Sequence, residues 1–283
     1  MNPTPMYDSL SSDYDRFVNW SSRLAFELPF IESQLACLPK SPGHPLRLLD
    51  AATGTGMHVL ELARRGFSAD GADLSQGMVE QARQNAAIGR SVPAYSRTAP
   101  ESGLAASQFH VAGFGEFAAA FQDSLPYDAV LCLGNSLPHL LSLAEVECAL
   151  SDFAACLKPG GLLLIQNRNF DAVMLKRERW MEPQSYQEID DAGNPQEWVF
   201  LRFYDFLPDH QIEFHVLTLQ RRDGQPWQQK IDSTHLYPLQ SPELLKALHD
   251  CGFETVTLYG GMDASPFDPL TSPNLVLVAR LPS

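Results

Sequence analysis

The stretch from Leu46 to Gly66 constrains the fold of this chain more than any other. Leu46, Leu48 and Leu49 form a short apolar run, Asp50-Ala51-Ala52-Thr53-Gly54-Thr55-Gly56 interrupts it, and Val59, Leu60, Leu62 and Ala63 then recur at helical spacing. The pattern predicts a buried strand, a glycine turn and the first turns of a helix. Glycines at 54 and 56 let a ligand lie against bare backbone, and the unpaired N–H groups of the helix start face whatever polar group arrives. A second strand-like run, Phe67-Ser68-Ala69-Asp70-Gly71-Ala72, leads to Asp73. A carboxylate at that strand tip can accept both hydroxyls of a ribose. A glycine turn also occurs in ordinary αβ units, so the turn and the acid carry the reading together.

A dinucleotide fingerprint needs a third glycine where this chain has Val59, which disfavours a nicotinamide oxidoreductase. The arrangement instead resembles motif I of class I S-adenosylmethionine-dependent methyltransferases, with Asp50, Gly54 and Gly56 in the motif's acid and glycine roles around Ala51-Ala52-Thr53. Asp73 followed by Leu74-Ser75-Gln76-Gly77-Met78 strengthens the likeness, because the family carries a similar acid and a similar hydrophobic residue five places later. The resemblance implies S-adenosyl-L-methionine as cofactor, held by Asp50, Ala52, Gly54, Gly56, Asp73, Leu74 and Met78.

The 283 residues, 45% of them hydrophobic, suffice for one elaborated domain or a domain with a subdomain. A net charge of −14 with no basic stripe opposes binding to nucleic acid or an anionic membrane. Small-molecule chemistry is the expectation that remains. The five cysteines, Cys37, Cys132, Cys148, Cys156 and Cys251, are odd in number and form no close pair, which predicts buried free thiols. Met1 to Pro5 carries neither a basic region nor a hydrophobic run, and no apolar span is long enough to cross a bilayer, so a reducing cytoplasm is the expected location.

Upstream of the turn, Tyr7-Asp8 and Tyr14-Asp15 stand seven apart, and Phe17, Trp20, Leu24 and Phe26 continue an apolar pattern up to Pro29. Two readings stand: amphipathic helices packed on the core, or a lid over the cofactor as in methyltransferases that resemble this chain. The lid reading makes Tyr14, Trp20 and Arg23 candidates for the methionine end, with Arg23 pairing its carboxylate. Phe30 to Leu38 predicts a helix ended by the proline-rich stretch 39–45.

Downstream, Gly77 to Ile88 predicts a helix, Gly89 to Ser102 a loop, and Phe109 to Ala112 a strand followed by Gly113 and Phe114, where Phe114 lines an adenine face or belongs to the core. Pro126 to Leu133 reads as a buried strand, and the loop after it, Gly134-Asn135-Ser136-Leu137-Pro138-His139-Leu140, faces the ligand crevice of an open parallel sheet. Leu133 and Gly134 therefore join the cofactor candidates. The Asp/Asn-Pro-Pro-aromatic motif of nucleic-acid amino-methyltransferases is missing from this loop.

A helix over Leu143 to Leu157, a turn at Lys158-Pro159-Gly160-Gly161 and a strand at Leu162 to Ile165 follow; "LKPGG" before an apolar strand is itself similar to class I methyltransferases. Glu197 to Phe206, Gln211 to Arg221 and Trp227 to Leu236 alternate like half-exposed strands, with Pro208-Asp209 and Asp223-Gly224 as hairpin turns. A helix over Ser241 to Cys251, capped by Ser241 with Pro242 at its first position, precedes two last strands at Phe253 to Tyr259 and Leu275 to Arg280. The predicted fold class is α/β, a Rossmann-like seven-stranded methyltransferase sheet with helices on both faces and an antiparallel β insert over the active-site crevice. Its expected parts are an N-terminal helical lid (1–32), a cofactor-binding core (33–171 and 236–283) and a substrate cap (172–235).

The leader's Tyr-Asp and Trp, "CLGNSLPHL" at 132–140, "LKPGGLLLIQNRNFD" at 157–171 and the hairpin insert resemble the glycine and sarcosine N-methyltransferase group over about Tyr7 to Arg280. The resemblance implies N-methylation of an amino acid or related amine, with Asn135 and the Gly134 carbonyl orienting the amine. Arg168 either grips the acceptor's carboxylate or forms a salt bridge to Asp171 or Asp128. His139 orders its loop or acts as a base, and Tyr204 and Phe206 wall the pocket or belong to the core. No metal is implied, since the acidic pair of catechol-type relatives is here Asn135 and Asn167-Arg168. His235 stands where relatives often have an arginine, which implies an acceptor larger or less anionic than glycine. The partner is thus a small-molecule methyl acceptor, with homo-oligomer formation left open. An O- or C-methyltransferase and a non-catalytic cofactor-binding sensor remain the alternatives.

Overall fold

A computed structural model of the chain describes residues 6–8, 11, 14–39, 41–89, 107–190, 193–222 and 224–283. Residues 90–102 of the expected loop and Asp223 of the expected hairpin turn lie outside these.

The first half builds α1 (Tyr14–Phe17), α2 (Trp20–Leu35), β1 (Arg47–Asp50), α3 (Met57–Arg64), β2 (Ser68–Asp73), α4 (Gln76–Ala87) and β3 (Phe109–Val111). Then come α5 (Phe117–Ala120), β4 (Tyr127–Cys132), α6 (Leu143–Cys156), β5 (Leu157–Arg168) and α7 (Phe170–Lys176). Strands β6 (Gln184–Ile189), β7 (Pro195–Phe206), β8 (Ile212–Arg222) and β9 (Gln228–Leu236) precede α8 (Ser241–Asp250), β10 (Thr255–Tyr259) and β11 (Asn274–Arg280).

Seven strands form one sheet in the order β10-β11-β5-β4-β1-β2-β3, with β11 antiparallel to both neighbours and the strands from β5 to β3 parallel. Both faces of this sheet are covered, and the side chains of each strand divide between them at a period of two. Leu48, Ala129, Leu131, Leu162 and Leu164 pack with Leu24, Leu28, Ile31, Val59 and Val79 on one face. Leu49, Val130, Cys132, Leu163 and Ile165 pack with Phe117, Leu150, Phe153, Leu244 and Leu248 on the other. The chain leaves β1 outward through β2 and β3, then returns to β4 on the opposite side of β1. That reversal opens a crevice at the carboxyl ends of β1 and β4, where ligands of open α/β sheets bind. The remaining strands form a second antiparallel sheet, β6-β7-β8-β9, with its own cluster of Phe170, Val173, Tyr204, Ile212 and Leu236.

Five elements depart from the sequence reading. Pro29 lies inside α2, which continues unbroken past residue 32. The helix gives up one backbone bond there because Leu24, Leu28, Ile31 and Leu35 are all buried along one stripe, and burial on both sides of the proline outweighs the loss. The expected turn at 158–161 is an irregular part of β5: Leu157 pairs with Tyr127 and pairing resumes between Leu162 and Ala129. Gly160, at φ +72°, donates to Pro282 O at 2.7 Å, so the end of the chain supplies the partner that keeps this segment extended. Strand β6 and helix α7 lack a strong periodic signal, and the first exists because β7 offers it an edge. The cap of α8 is Gln240, one residue earlier than expected, in a reciprocal pair with Glu243.

Candidate cofactor and acceptor site

Two adjoining cavities of about 460 and 480 Å3 occupy the crevice, and Tyr7, Tyr14, Gly134 and His139 line both. The first is floored by the glycine turn: Ala51, Ala52 and Gly54 line it, with Asp73, Leu74 and Met78 on one side and Ala112, Gly113 and Phe114 on another. Gly54, at φ +54°, has the Tyr14 ring 3.5 Å from where a side chain would start. Gly56, at φ +81°, serves another purpose. A Cβ there would meet the Ala82 Cβ at 2.9 Å and the Phe109 ring at 3.0 Å, so this glycine permits α4 and β3 to pack on the turn and does not line the cavity.

Asp73 is held from below. Its Oδ2 accepts the Gly54 N–H at 2.9 Å and its Oδ1 the Ser75 N–H at 2.9 Å. Burial pushes its carboxyl up to about 6 against those two bonds, with the nearby Asp50 and Asp8 adding to the rise. Each oxygen keeps a second lone pair, which matches the two O–H donors of a ribose diol. Leu74, Met78, Ala112 and Phe114 supply the apolar faces an adenine needs. Bare turn, fixed carboxylate and apolar slot together fit the nucleoside part of S-adenosylmethionine.

Asp50 lies beneath this floor, outside both cavities, with Oδ1 buried and unpartnered and its pKa raised by burial. Leu133 is likewise buried behind Gly134 and lines neither cavity. Trp20, expected near the methionine end, belongs to the core; its indole donates to Asp15 Oδ1 at 2.7 Å and meets His58 edge-on. The same Asp15 oxygen accepts from Thr55 Oγ1 at 2.6 Å, which fastens the leader to the glycine turn.

Arg23 reaches the second cavity. Its Nε donates to both oxygens of Glu27 at 3.1 Å, leaving the outer nitrogens beside Gly134, with Nη2 3.2 Å from where a Gly134 side chain would start. Burial alone would raise the Glu27 pKa, but Arg23 and the hydrogen bond with His58 at 2.7 Å overcome it and hold the carboxyl at about 2. Gly134 and Asn135 turn the chain back with φ of +78° and +66°, a conformation that glycine and asparagine tolerate best. Gly134 N donates to Gln166 Oε1 at 2.7 Å, and Asn135 Oδ1 accepts the Arg168 N–H at 2.9 Å, so this loop is pinned to the end of β5.

Arg168 enters the second cavity with a buried, unpartnered Nε and only a 3.9 Å approach to Glu178. Neither expected alternative partner holds it: Asp128 pairs with Lys158 at 2.7 Å, and Asp171 accepts from Ser241 N at 3.2 Å. His139 donates to or accepts from Tyr7 Oη at 2.7 Å, and burial lowers its pKa to about 4. Tyr204 lines the second cavity, whereas Phe206 packs in the cluster beneath the insert. His235 lines neither.

Tyr7, noted in the sequence only as part of the leader's Tyr-Asp pattern, lines both cavities, and Glu116 and Arg202, not singled out by sequence, line the first and the second. Arg202 had a signal: it stands two residues before Tyr204 on an alternating strand, hence on the same face. Glu116 had none, since it acts locally by accepting the Gly113 N–H at 2.8 Å.

Comparison with known proteins agrees with this geometry. Over 251 residues the chain is 28% identical to a glycine/sarcosine N-methyltransferase of Aphanothece halophytica, covering 87% of this chain and 79% of that protein. A glycine/sarcosine N-methyltransferase of Halorhodospira halochloris is 27% identical over 259 residues, 91% of this chain and 82% of that one. Rattus norvegicus glycine N-methyltransferase is 34% identical over 134 residues, 45% and 42% of the two chains. Among solved structures, the CcbJ methyltransferase of Streptomyces caelestis superposes with a TM-score of 0.71 at 19% identity, over 100% of both chains. An S-adenosylmethionine-dependent methyltransferase of Clostridium acetobutylicum gives 0.70 at 14%, over 98% and 99%. Residues 15–258 match the family described as methyltransferase domain, and with the strand order and the nucleoside seat they make this chain a class I S-adenosylmethionine-dependent methyltransferase, with S-adenosyl-L-methionine as its cofactor.

Proposed function

We propose that this methyltransferase N-methylates an amino acid or a related small amine. The observation that carries the reading is Arg168, a guanidinium whose one carboxylate contact among the described residues is a long 3.9 Å approach to the exposed Glu178 and whose Nε is unpartnered. It lines the acceptor cavity beside Asn135, next to the Gly134 shared with the cofactor cavity. An arginine fork matches a carboxylate with two charge-assisted bonds and so fixes the direction in which the adjacent amine points. The activated sulfonium methyl comes with the cofactor; the protein's part is to hold the amine in line with it, and such positioning is worth about 7–11 kcal/mol in favourable cases. His139, neutral at pH 7 and bonded to Tyr7, orders the wall between the two cavities and is a weak base for this task. Tyr7 and Tyr14 of the leader line the seat, and Arg202, Tyr204, Phe214 and Val216 of β7 and β8 line the acceptor side. The relatives' glycine and sarcosine specificity agrees with this assignment.

The test is transfer of labelled methyl from the cofactor to panels of amino acids, amines, phenols and carbon acids. Labelled N-methyl product carries the reading. Label only on oxygen or carbon replaces it with the O- or C-methyltransferase alternative, and cofactor binding without any transfer favours a sensor.

A further inference from the structure

The acceptor cavity holds a second guanidinium that glycine-type chemistry leaves unused. Arg202 projects from β7 opposite Val216, as Tyr204 does opposite Phe214, and all four line the cavity. Its guanidinium stacks over Phe17 of α1 at 5.3 Å. Among the described residues no carboxylate lies within ion-pair distance of it, and its Nε is buried without a partner, as are Arg168 Nε and Tyr204 Oη. Burial and the neighbouring Arg168 both pull the Arg202 pKa down, while the two arginines together oppose the rise of Tyr204. Both arginines are half-buried with their Nε shut off from solvent, and two like charges beside each other in a chain of net charge −14 ask for an anionic occupant. The cavity, about 480 Å3, is far larger than a two-carbon amino acid needs, and Gln166, Gln184 and Asn274 add amide donors around it.

We propose that the acceptor is dicarboxylic: an amine-bearing diacid whose α-carboxylate is held by Arg168, from the main sheet, and whose second carboxylate is held by Arg202, from the antiparallel insert. The planar fork of each arginine suits a carboxylate, and Tyr204, on the same face of β7 as Arg202 and within electrostatic reach of both arginines, brings an O–H that a carboxylate can accept. Arg202 lines this cavity and His235 does not, so Arg202 rather than position 235 sets the charge here. The inference rests on the amine N-methylation reading for its nucleophile, but its test does not.

The full chain, saturated with S-adenosylhomocysteine, is titrated calorimetrically with succinate, acetate and inorganic pyrophosphate. Succinate is expected to bind about 30-fold more tightly than acetate, the mid-range for one added charge-assisted contact. Arg202→Met should remove that difference, and Arg202→Lys should restore part of it. The ligand-free thermal midpoint of Arg202→Met should stay level or rise, since the variant relieves repulsion; a fall accompanied by equal weakening of both acids would make Arg202 a structural residue and overturn the proposal. Equal affinity for acetate and succinate in the unmodified protein also overturns it, and tighter binding of pyrophosphate replaces the diacid with a phosphorylated acceptor. Because succinate has no nucleophile, succinate selectivity without amine methylation would sink only the amine reading. Methylation of glycine at least as efficiently as of an acidic amino acid would sink only the diacid.

Discussion

Asparagine at position 73 separates the cofactor seat from an ordinary strand end. In the native protein each carboxylate oxygen already accepts one backbone N–H, from Gly54 and Ser75 at 2.9 Å, and offers its remaining lone pair upward. Asparagine has one oxygen for these two N–H groups, and its own NH2 would oppose the other. A ribose diol would therefore lose one charge-assisted bond and keep a weaker neutral one, a cost of about 3 kcal/mol or roughly 100-fold in affinity. The pH profile sharpens the test. With a carboxyl at about 6 in the ligand-free protein, cofactor binding should be level above pH 7 and fall about tenfold between pH 8 and pH 5, as the accepting carboxylate becomes protonated. The sign for folding is opposite: the folded pKa exceeds the ordinary 3.8, so the contribution of Asp73 to ligand-free stability is full below 3.8 and is lost as pH rises through about 6. The assay is calorimetry with S-adenosylhomocysteine on both proteins from pH 5 to 8. A flat native profile, or an Asp73→Asn affinity within threefold of native, refutes the assignment; a residual slope in the variant moves the titration to another group.

Gly56→Ala should cost about 2–5 kcal/mol in urea unfolding, from the left-handed backbone and from overpacking against Ala82 and Phe109, with no comparable loss of cofactor affinity in the folded fraction. Glu27→Gln leaves Arg23 buried without its carboxylate and should lower stability by about 3–5 kcal/mol. It should also remove part of the acid limb, because the native contribution is present above pH 4.5 and lost as pH falls toward about 2. An unchanged acid limb would show that the pair is not coupled to folding. Arg168→Ala should raise the acceptor KM at least about 30-fold while the cofactor Kd stays within threefold; equal losses in both would give Arg168 a structural role.

The nucleoside seat was legible because its parts are local: a strand, a glycine turn and an acid at the next strand tip are separated by short stretches whose spacing the backbone fixes. Four of the named cofactor residues, Asp50, Gly56, Trp20 and Leu133, nevertheless line neither cavity. Gly56 and Trp20 answer to neighbours far along the chain, Ala82 and Phe109 for one and His58 for the other, and no spacing rule exposes such neighbours. Pro29 is a similar case, since a local rule ends the helix and the buried stripe on either side continues it.

The sequence by itself determined the strand, glycine turn and helix at 46–66 and the carboxylate at 73, consequences of hydrophobic period and turn chemistry, while the seven-stranded sheet followed from the resemblance its motifs carry and the reversal between β1 and β4 from the structure. Only the tertiary structure decided which cations meet in the acceptor cavity. Arg23, Arg168 and Arg202 come from a leader helix, a central strand and a separate sheet, and their convergence depends on how three elements pack. A residue's charge is written in the chain, but whether that charge finds a partner is settled only when distant segments close around it, and that decides what this enzyme can hold.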